Sequence, residues 1–83
     1  MMQVTPRLWL YGHEYCSLCH VMREALQAWS QPLMVEWVDI EGEAGLEEQF
    51  GELVPVLCGE NGRQICHYHL DTQALDAYLA DFR

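Results

Sequence analysis

Two cysteines, at positions 16 and 19, carry the clearest chemistry in this sequence. They lie in the stretch EYCSLCH, residues 14 to 20, where two residues separate them and a histidine follows. This spacing serves three kinds of site: a redox dithiol, a covalent haem attachment site of the form C-x-x-C-H, and half of a zinc site. Which of these three sites the cysteines form depends on the secondary-structure elements that position them.

Cys16 falls where a helix is predicted to begin. Residues 7 to 11, RLWLY, are an apolar run before Gly12 and predict a buried strand, and from Ser17 apolar residues recur at helical spacing. The free N–H groups and positive end of a helix favour a thiolate over a thiol. We therefore expect Cys16 to be the nucleophile, and Cys19, one turn further along, to be buried and protonated.

The other elements predict a mixed α/β fold. In chain order they are a strand at 33–39 after Pro32 ends the helix, a short helix at 43–50, β-rich runs at 54–58 and 63–69, and an amphipathic helix with Asp71 as N-cap and Leu75, Tyr78, Leu79 and Phe82 as its apolar positions. Asn61-Gly62, between the last two strands, is the strongest short hairpin signal. The order β-α-β-α-β-β-α predicts a four-stranded mixed sheet flanked by helices, because a right-handed crossover makes the first two strands parallel.

Composition limits the partners and the location. The 83 residues carry a net charge of −9, with no lysine and four arginines against thirteen acids. This balance argues against nucleic acid and anionic membranes as partners. No apolar run reaches the roughly 18 residues of a membrane span, and the N-terminus lacks the pattern of a signal peptide. We expect one domain, 1–83, that is a cytoplasmic monomer, and in that compartment paired cysteines tend to be catalytic or metal-binding.

The haem and zinc interpretations fit the surroundings less well. Covalent haem, with His20 completing the motif, is attached outside the cytosol, and the predicted strands do not match a small helical haem protein. Zinc could use Cys16, Cys19, Cys58, Cys66, His67 or His69. With Asn61-Gly62 as a two-residue turn, position 58 faces 65 and position 57 faces 66, so Cys58 and Cys66 point to opposite faces of the sheet. This geometry opposes a shared metal or a disulfide, and we predict no metal site.

Two segments resemble a known family. EYCSLCHVMREAL and VPVLCGENGRQICHYHLD are similar to the glutaredoxins of the thioredoxin fold, and to a branch of small, mostly bacterial, glutaredoxin-like proteins. The resemblance implies a thiol–disulfide oxidoreductase in which Cys16 attacks and Cys19 resolves. It also implies a cis bond before Pro55, which leaves the backbone of Val54 free to pair with an extended substrate. Tyr15 matches a common aromatic position before the first cysteine.

The departures from that family concern glutathione. Typical glutaredoxins have a lysine where this chain has His13, and Gly-Gly followed by Asp where it has Cys66-His67-Tyr68-His69. We therefore predict no cofactor, weak glutathione binding, and a protein or peptide disulfide as substrate with an unknown thiol reductant. The residues expected to contact the substrate are His13, Tyr15, Val54, Pro55 and His67. A non-enzymatic thioredoxin-fold module that binds a protein partner or a metal stays open as the alternative.

Overall fold

The computed structural model describes residues 5–81. Its elements are β1 (Arg7–Gly12), α1 (Ser17–Gln27), β2 (Met34–Asp39), α2 (Ala44–Phe50), β3 (Val56–Cys58), a 3₁₀ turn (Glu60–Gly62), β4 (Gln64–His67) and α3 (Thr72–Ala80). The predicted order is confirmed, although α1 ends five residues before Pro32 and β3 and β4 are shorter than predicted. Phe82, predicted as an apolar position of the last helix, lies outside the described residues.

The four strands form one mixed sheet in the order β2-β1-β3-β4. β1 is parallel to β2, while β3 is antiparallel to β1 and to β4, which confirms the predicted α/β sheet. Tyr11 of β1 pairs with Val38 on one side and Val56 on the other, and Val56 pairs with His67. The carboxyl ends of β1 and β2 therefore meet the start of β3 and the end of β4 at one end of the sheet.

The helices cover both faces of this sheet. Leu8 and Leu10 of β1 are fully buried against apolar residues of α1 and α3, among them Met22 and Leu75. The opposite face holds a smaller cluster of Ile40, Phe50, Val56 and Cys58. Each fully buried side chain of this size stabilises the fold by about 1.5–3 kcal/mol. Within residues 5–81 the structure contains no helix with the length and apolarity to cross a bilayer.

The hairpin between β3 and β4 has the predicted turn but not the predicted register. Asn61 and Gly62 both have positive φ angles, 63° and 72°, as a type I′ turn requires. Leu57 pairs with Cys66 as expected, but Cys58 pairs with Gln64, so the prediction that position 58 faces 65 is wrong. The irregularity arises because this loop bends onto α3, where the Tyr78 hydroxyl accepts a hydrogen bond of 2.7 Å from the N–H of Glu60.

The predicted separation of Cys58 and Cys66 survives this change of register. Cys66 belongs to the cluster under α1 and α3, and Cys58 belongs to the cluster on the other face. Burial raises the pKa of both thiols.

Candidate active site

Cys16 is the N-cap residue of α1. Its Sγ atom accepts a hydrogen bond of 3.1 Å from the N–H of Cys19, so a sulfur occupies the position that an oxygen usually takes at a helix start. The N–H of Cys16 donates to the carbonyl of His13 at 3.1 Å, and its own carbonyl accepts from His20 at 3.2 Å. The loop of residues 13–16 is thus tied to the first turn of the helix, and Cys16 remains partly exposed.

Cys19 has the opposite environment. Its side chain is fully buried. Burial, together with a hydrogen bond between the two thiols, raises the pKa of Cys19 to about 12, although backbone hydrogen bonds from His13 and Cys19 itself act in the other direction. Cys19 is therefore a thiol at neutral pH, and all four cysteines in the structure are free.

Gly12, the last residue of β1, makes room for the buried thiol. A Cβ atom at position 12 would lie 2.7 Å from Cys19 Sγ and 2.9 Å from Cη2 of Trp37. Trp37 in turn donates from Nε1 to Oε2 of Glu14 at 2.8 Å, and the His20 ring is stacked with it at 6.2 Å between centroids. The Trp37 indole thus contacts both the cysteine loop, through Glu14, and α1, through His20. His20, the candidate haem ligand, also forms a hydrogen bond with the carbonyl of Glu14.

The Val54-Pro55 peptide bond is cis, as the resemblance implied. Pro55 directly precedes Val56, the first residue of β3, and Val56 pairs with Tyr11, the residue before Gly12. Pro55 is buried, and its carbonyl accepts a hydrogen bond of 2.9 Å from the N–H of Tyr68. Pro55 therefore lies at the same end of the sheet as the loop that carries Cys16.

His13 and Tyr15 stack on each other next to that loop. Their ring centroids are 4.8 Å apart and the planes differ by 14°. His13 is only 6% exposed, and within residues 5–81 its Nδ1 atom has no hydrogen-bond partner, an uncommon situation for a buried polar atom. Tyr15, in contrast, is 72% exposed. Where typical glutaredoxins have a lysine, this chain thus has the buried ring of His13, stacked against the exposed ring of Tyr15.

His67 lies beside this end of the sheet, on β4. It is exposed, its Nδ1 is 3.2 Å from the side-chain nitrogen of Gln64, and its ring meets that of Tyr68 edge-on. His67 also lines an open cavity of about 470 Å³ together with Gln64, Ile65, Cys66, His69 and Asp71. Neither cysteine of the 16/19 pair lines that cavity, so the structure gives no reason to place the chemistry there.

With this geometry in view, comparison with known proteins identifies the family. Residues 7–80 match the glutaredoxin-like domain (DUF836). This chain belongs to the glutaredoxin-like family. No curated protein gives a match.

Structures of similar proteins agree with this assignment. The solution structure of protein Ne2328 from Nitrosomonas europaea is 33% identical, covers 94% of this chain and 96% of its own, and superposes with a TM-score of 0.76. The X-ray structure of protein XcR50 from X. campestris is 36% identical, with coverages of 89% and 96% and a TM-score of 0.72. Thioredoxin 1 from Thermosipho africanus, at 15% identity, coverages of 90% and 96% and a TM-score of 0.60, shows the thioredoxin fold alone.

Within this glutaredoxin-like fold, the residues that could form a metal site are spread apart. Among residues 5–81 there is no group of three or more histidines, cysteines or acids arranged to hold a metal ion. Cys16 and Cys19 lie at the start of α1, whereas Cys58 and Cys66 lie in separate core clusters. Cys16 and Cys19 are thus close to each other, whereas Cys58 and Cys66 lie elsewhere in the core.

Sequence reasoning missed several residues of this site. The sequence patterns assign no role at the site to Trp37 of β2 or to Glu14 of the cysteine loop. Nor do they assign one to Asp39 or Glu41, although Asp39 ends β2 opposite Gly12 and Glu41 follows two residues later, where the cysteine loop leaves β1. A signal for them existed, since the carboxyl ends of neighbouring parallel strands meet at one edge of a sheet.

Proposed function

We propose that this glutaredoxin-like protein is a thiol–disulfide oxidoreductase that acts on a disulfide in a peptide or protein. The observation that carries the proposal is the asymmetry of the dithiol. Cys16 is partly exposed, with its sulfur at the first turn of α1, and Cys19, one turn inside, is fully buried and protonated. An accessible nucleophile beside a protected thiol is what two-step exchange requires.

The exchange proceeds through a mixed disulfide. The thiolate of Cys16 attacks one sulfur of the substrate disulfide, a new S–S bond forms as the old one breaks, and the released thiolate takes a proton from water. Cys19 then loses its proton to solvent and attacks Cys16 Sγ, which frees the second substrate thiol. The protein ends with a Cys16–Cys19 disulfide, and the substrate has gained two electrons and two protons. A dithiol reductant returns the protein to its starting state.

The end of the sheet next to Cys16 offers the means to hold a substrate. Val54 is half-buried before the cis-linked Pro55, and Pro55 directly precedes Val56, which pairs with Tyr11 near the end of β1. We expect the backbone of Val54 to pair with an extended substrate segment and the exposed ring of Tyr15 to pack on it. His67 borders the same end from β4, and His13 acts by supporting Tyr15.

Glutathione is expected to be a poor partner for this site. It is a net negative tripeptide, and the family's lysine position holds the buried His13 instead of an exposed cation. Loss of one exposed ion pair costs only about 0.2–1 kcal/mol. A second loss adds to it, because Cys66 and His67 carry side chains where glycines would let a ligand backbone approach closely.

The test is turnover and trapping with the purified protein. With dithiothreitol as reductant, we expect reduction of a peptide disulfide and slow reduction of a glutathione mixed disulfide. The Cys19→Ser variant should accumulate a mixed disulfide on Cys16, because attack can start but not finish, and Cys16→Ser should accumulate none. Cys58→Ser is the matched control and should behave like the unmodified protein. Equal trapping by the Cys16 and Cys19 variants would contradict the assigned order of attack, and binding without turnover would favour a non-enzymatic module.

A further inference from the structure

Three carboxylates lie in the cysteine loop or on the segment next to it, those of Glu14, Asp39 and Glu41. Asp39 pairs with Gly12 across β2 and β1, and the N–H of Ile40 donates to the carbonyl of Gly12 at 3.0 Å. Glu41 follows at once, and its N–H donates to Oδ1 of Asp39 at 3.0 Å. Glu14 belongs to the cysteine loop itself. The strand pairing therefore brings negative charge from a second strand to the point where the nucleophile is presented.

Two of the three arginines within residues 5–81 lie away from this group, and the third, Arg23 of α1, lies over the Trp37 ring with its guanidinium carbon 4.8 Å from the ring centroid. Arg7 begins β1 and pairs with Glu36 at 3.0 Å, and Arg63 follows the hairpin turn and pairs with Asp81 at 3.6 Å. Both arginines lie at the far end of the sheet from Cys16, because β1 runs from Arg7 toward the cysteine loop and β3 runs the opposite way. Within residues 5–81 no ion pair involves Asp39, Glu41, Glu47 or Glu14.

Tyr15 precedes Cys16 in the loop that leaves β1 at Gly12, the residue that pairs with Asp39. Partial desolvation and then the charges of Glu41, Glu47 and Asp39 raise the pKa of the Tyr15 hydroxyl. The ring is 72% exposed, although it has an aromatic partner, His13, on one side. Beneath it, His13 Nδ1 is buried and lacks a hydrogen-bond partner within residues 5–81. An exposed aromatic ring among carboxylates suits a lysine or arginine, which gains both charge attraction and a cation–π contact.

We propose that the redox site selects disulfides carried by cationic polypeptide segments, in which lysine or arginine lies close to the half-cystine. This inference rests on the proposed function and names its substrate class. The carboxylates of Asp39, Glu41 and Glu47 attract the basic side chains, and the exposed face of Tyr15 receives one of them. Fields of this kind raise association rates of complementary partners by about 10–10³-fold and slow those of like charge.

The charge at the nucleophile can be tested without any oxidoreductase activity. Cys16 of the reduced protein is treated at pH 8 with a trimethylammonium-ethyl or a sulfonato-ethyl methanethiosulfonate, each of which forms a disulfide with the sulfur and releases methanesulfinate. Relative to a small model thiol, we expect the cationic reagent to be favoured by about tenfold at low salt. The preference should nearly vanish in about 1 M NaCl, where the screening length is about 3 Å.

Variants then assign this preference to residues. Glu41→Gln with Glu47→Gln should remove most of it, whereas Glu24→Gln with Glu60→Gln, on α1 and in the hairpin, changes the net charge equally and should retain it. If both double variants lose it equally, the preference belongs to the whole molecule and the assignment to this site is overturned. No preference in the unmodified protein would overturn it as well.

The substrate class itself is tested with three peptides that share one disulfide and differ only in flanking Lys, Gln or Glu. Single-turnover rates are read from tryptophan fluorescence of the reduced protein. We expect the Lys peptide to react about ten times faster than the Glu peptide at low salt, and the gap to close in the Glu41/Glu47 double variant. Equal rates for all three peptides would overturn the charge inference alone. Reduction of none of them would overturn the proposed function.

Discussion

At the scale of single residues, the site depends on two cysteines that the same helix places in opposite environments. Cys16 lies before the first turn and accepts a hydrogen bond from Cys19, while the Cys19 side chain points inward against Gly12. Burial is the largest of the effects that raise the pKa of Cys19 to about 12. The helix backbone therefore assigns the two roles, and no charged side chain is needed to do so.

The first prediction concerns the order in which the thiols react. Under limiting iodoacetamide at pH 8, Cys16 should alkylate on the order of tenfold faster than Cys19, Cys58 and Cys66, because those three are buried and react only when the fold opens locally. Peptide mapping by mass spectrometry gives the rates. In urea all four should react at comparable rates, which serves as the control. Labelling of Cys58 or Cys66 before Cys16 in the folded protein would show that the nucleophile is wrongly assigned.

Some residue roles follow from the sequence and others do not. The positions of Cys16 and Cys19 relative to a helix start could be predicted, because strand, loop and helix are local patterns. The burial of His13 and the hydrogen bond from Trp37 to Glu14 could not, since they join residues of different elements. Such contacts depend on how β2 packs beside β1, which the pattern of either strand alone does not specify.

At the scale of elements, the end of β1 controls the space for the dithiol. Gly12 is the last strand residue and lies between the buried Cys19 sulfur and the edge of the Trp37 ring. A side chain there would push α1 or β2 away from β1. Glycine at this position is therefore required by close packing, not by an unusual backbone angle.

The second prediction tests that packing. Gly12→Ala should destabilise the protein by about 1–3 kcal/mol, because the added Cβ meets Cys19 Sγ at 2.7 Å and Trp37 Cη2 at 2.9 Å. Gly45→Ala is the matched control. It lies in α2 with nothing within 4 Å of the added atom, and it should be neutral or stabilising by up to about 1 kcal/mol. Urea unfolding of both variants measures this, and a Gly12→Ala protein as stable as the original would refute the packing argument.

The turn of the β3–β4 hairpin could be predicted from the sequence, but the register of its strands could not. Asn61-Gly62 correctly predicted a turn with two positive φ angles, because that requirement is local. The pairing of Cys58 with Gln64 was missed, because the register also depends on Tyr78 of α3, which holds the loop through the N–H of Glu60. The shift leaves Cys58 and Cys66 in the core clusters on opposite faces of the sheet, as predicted.

At the scale of the whole molecule, the order of elements was sufficient to predict the fold. A right-handed βαβ unit followed by a hairpin allows few arrangements, and the observed sheet is one of them. The distribution of charge along the sheet was not predictable from the total of −9. It follows from the pairing that sends Arg7 and Arg63 to one end and leaves the carboxylates near Cys16 at the other.

The last prediction is that alkaline pH destabilises the reduced protein through its buried thiols. The folded-state pKa of Cys19 is about 12, raised from an ordinary value of 9.0, and burial raises the pKa values of Cys58 and Cys66 as well. The folded state therefore keeps protons that the unfolded state releases, and the free energy of unfolding falls as pH rises from about 9 toward 12. At pH 10, one unit above the unfolded value, each fully protected thiol costs about 1.4 kcal/mol.

Urea unfolding in a thiol-free phosphine reductant at pH 8 and pH 10 measures this loss. In Cys19→Ala the fall in the free energy of unfolding between pH 8 and pH 10 should be smaller by about 1.4 kcal/mol, because one titrating thiol has been removed. Leu26→Ala is the control: it removes a buried side chain that carries no titrating group, so it should lower stability at both pH values and leave the drop unchanged. An unchanged drop in Cys19→Ala would mean that the Cys19 thiol ionises as readily in the folded protein as in the unfolded chain. That result would contradict the proposed exchange, because the exchange depends on a buried, protonated resolving thiol.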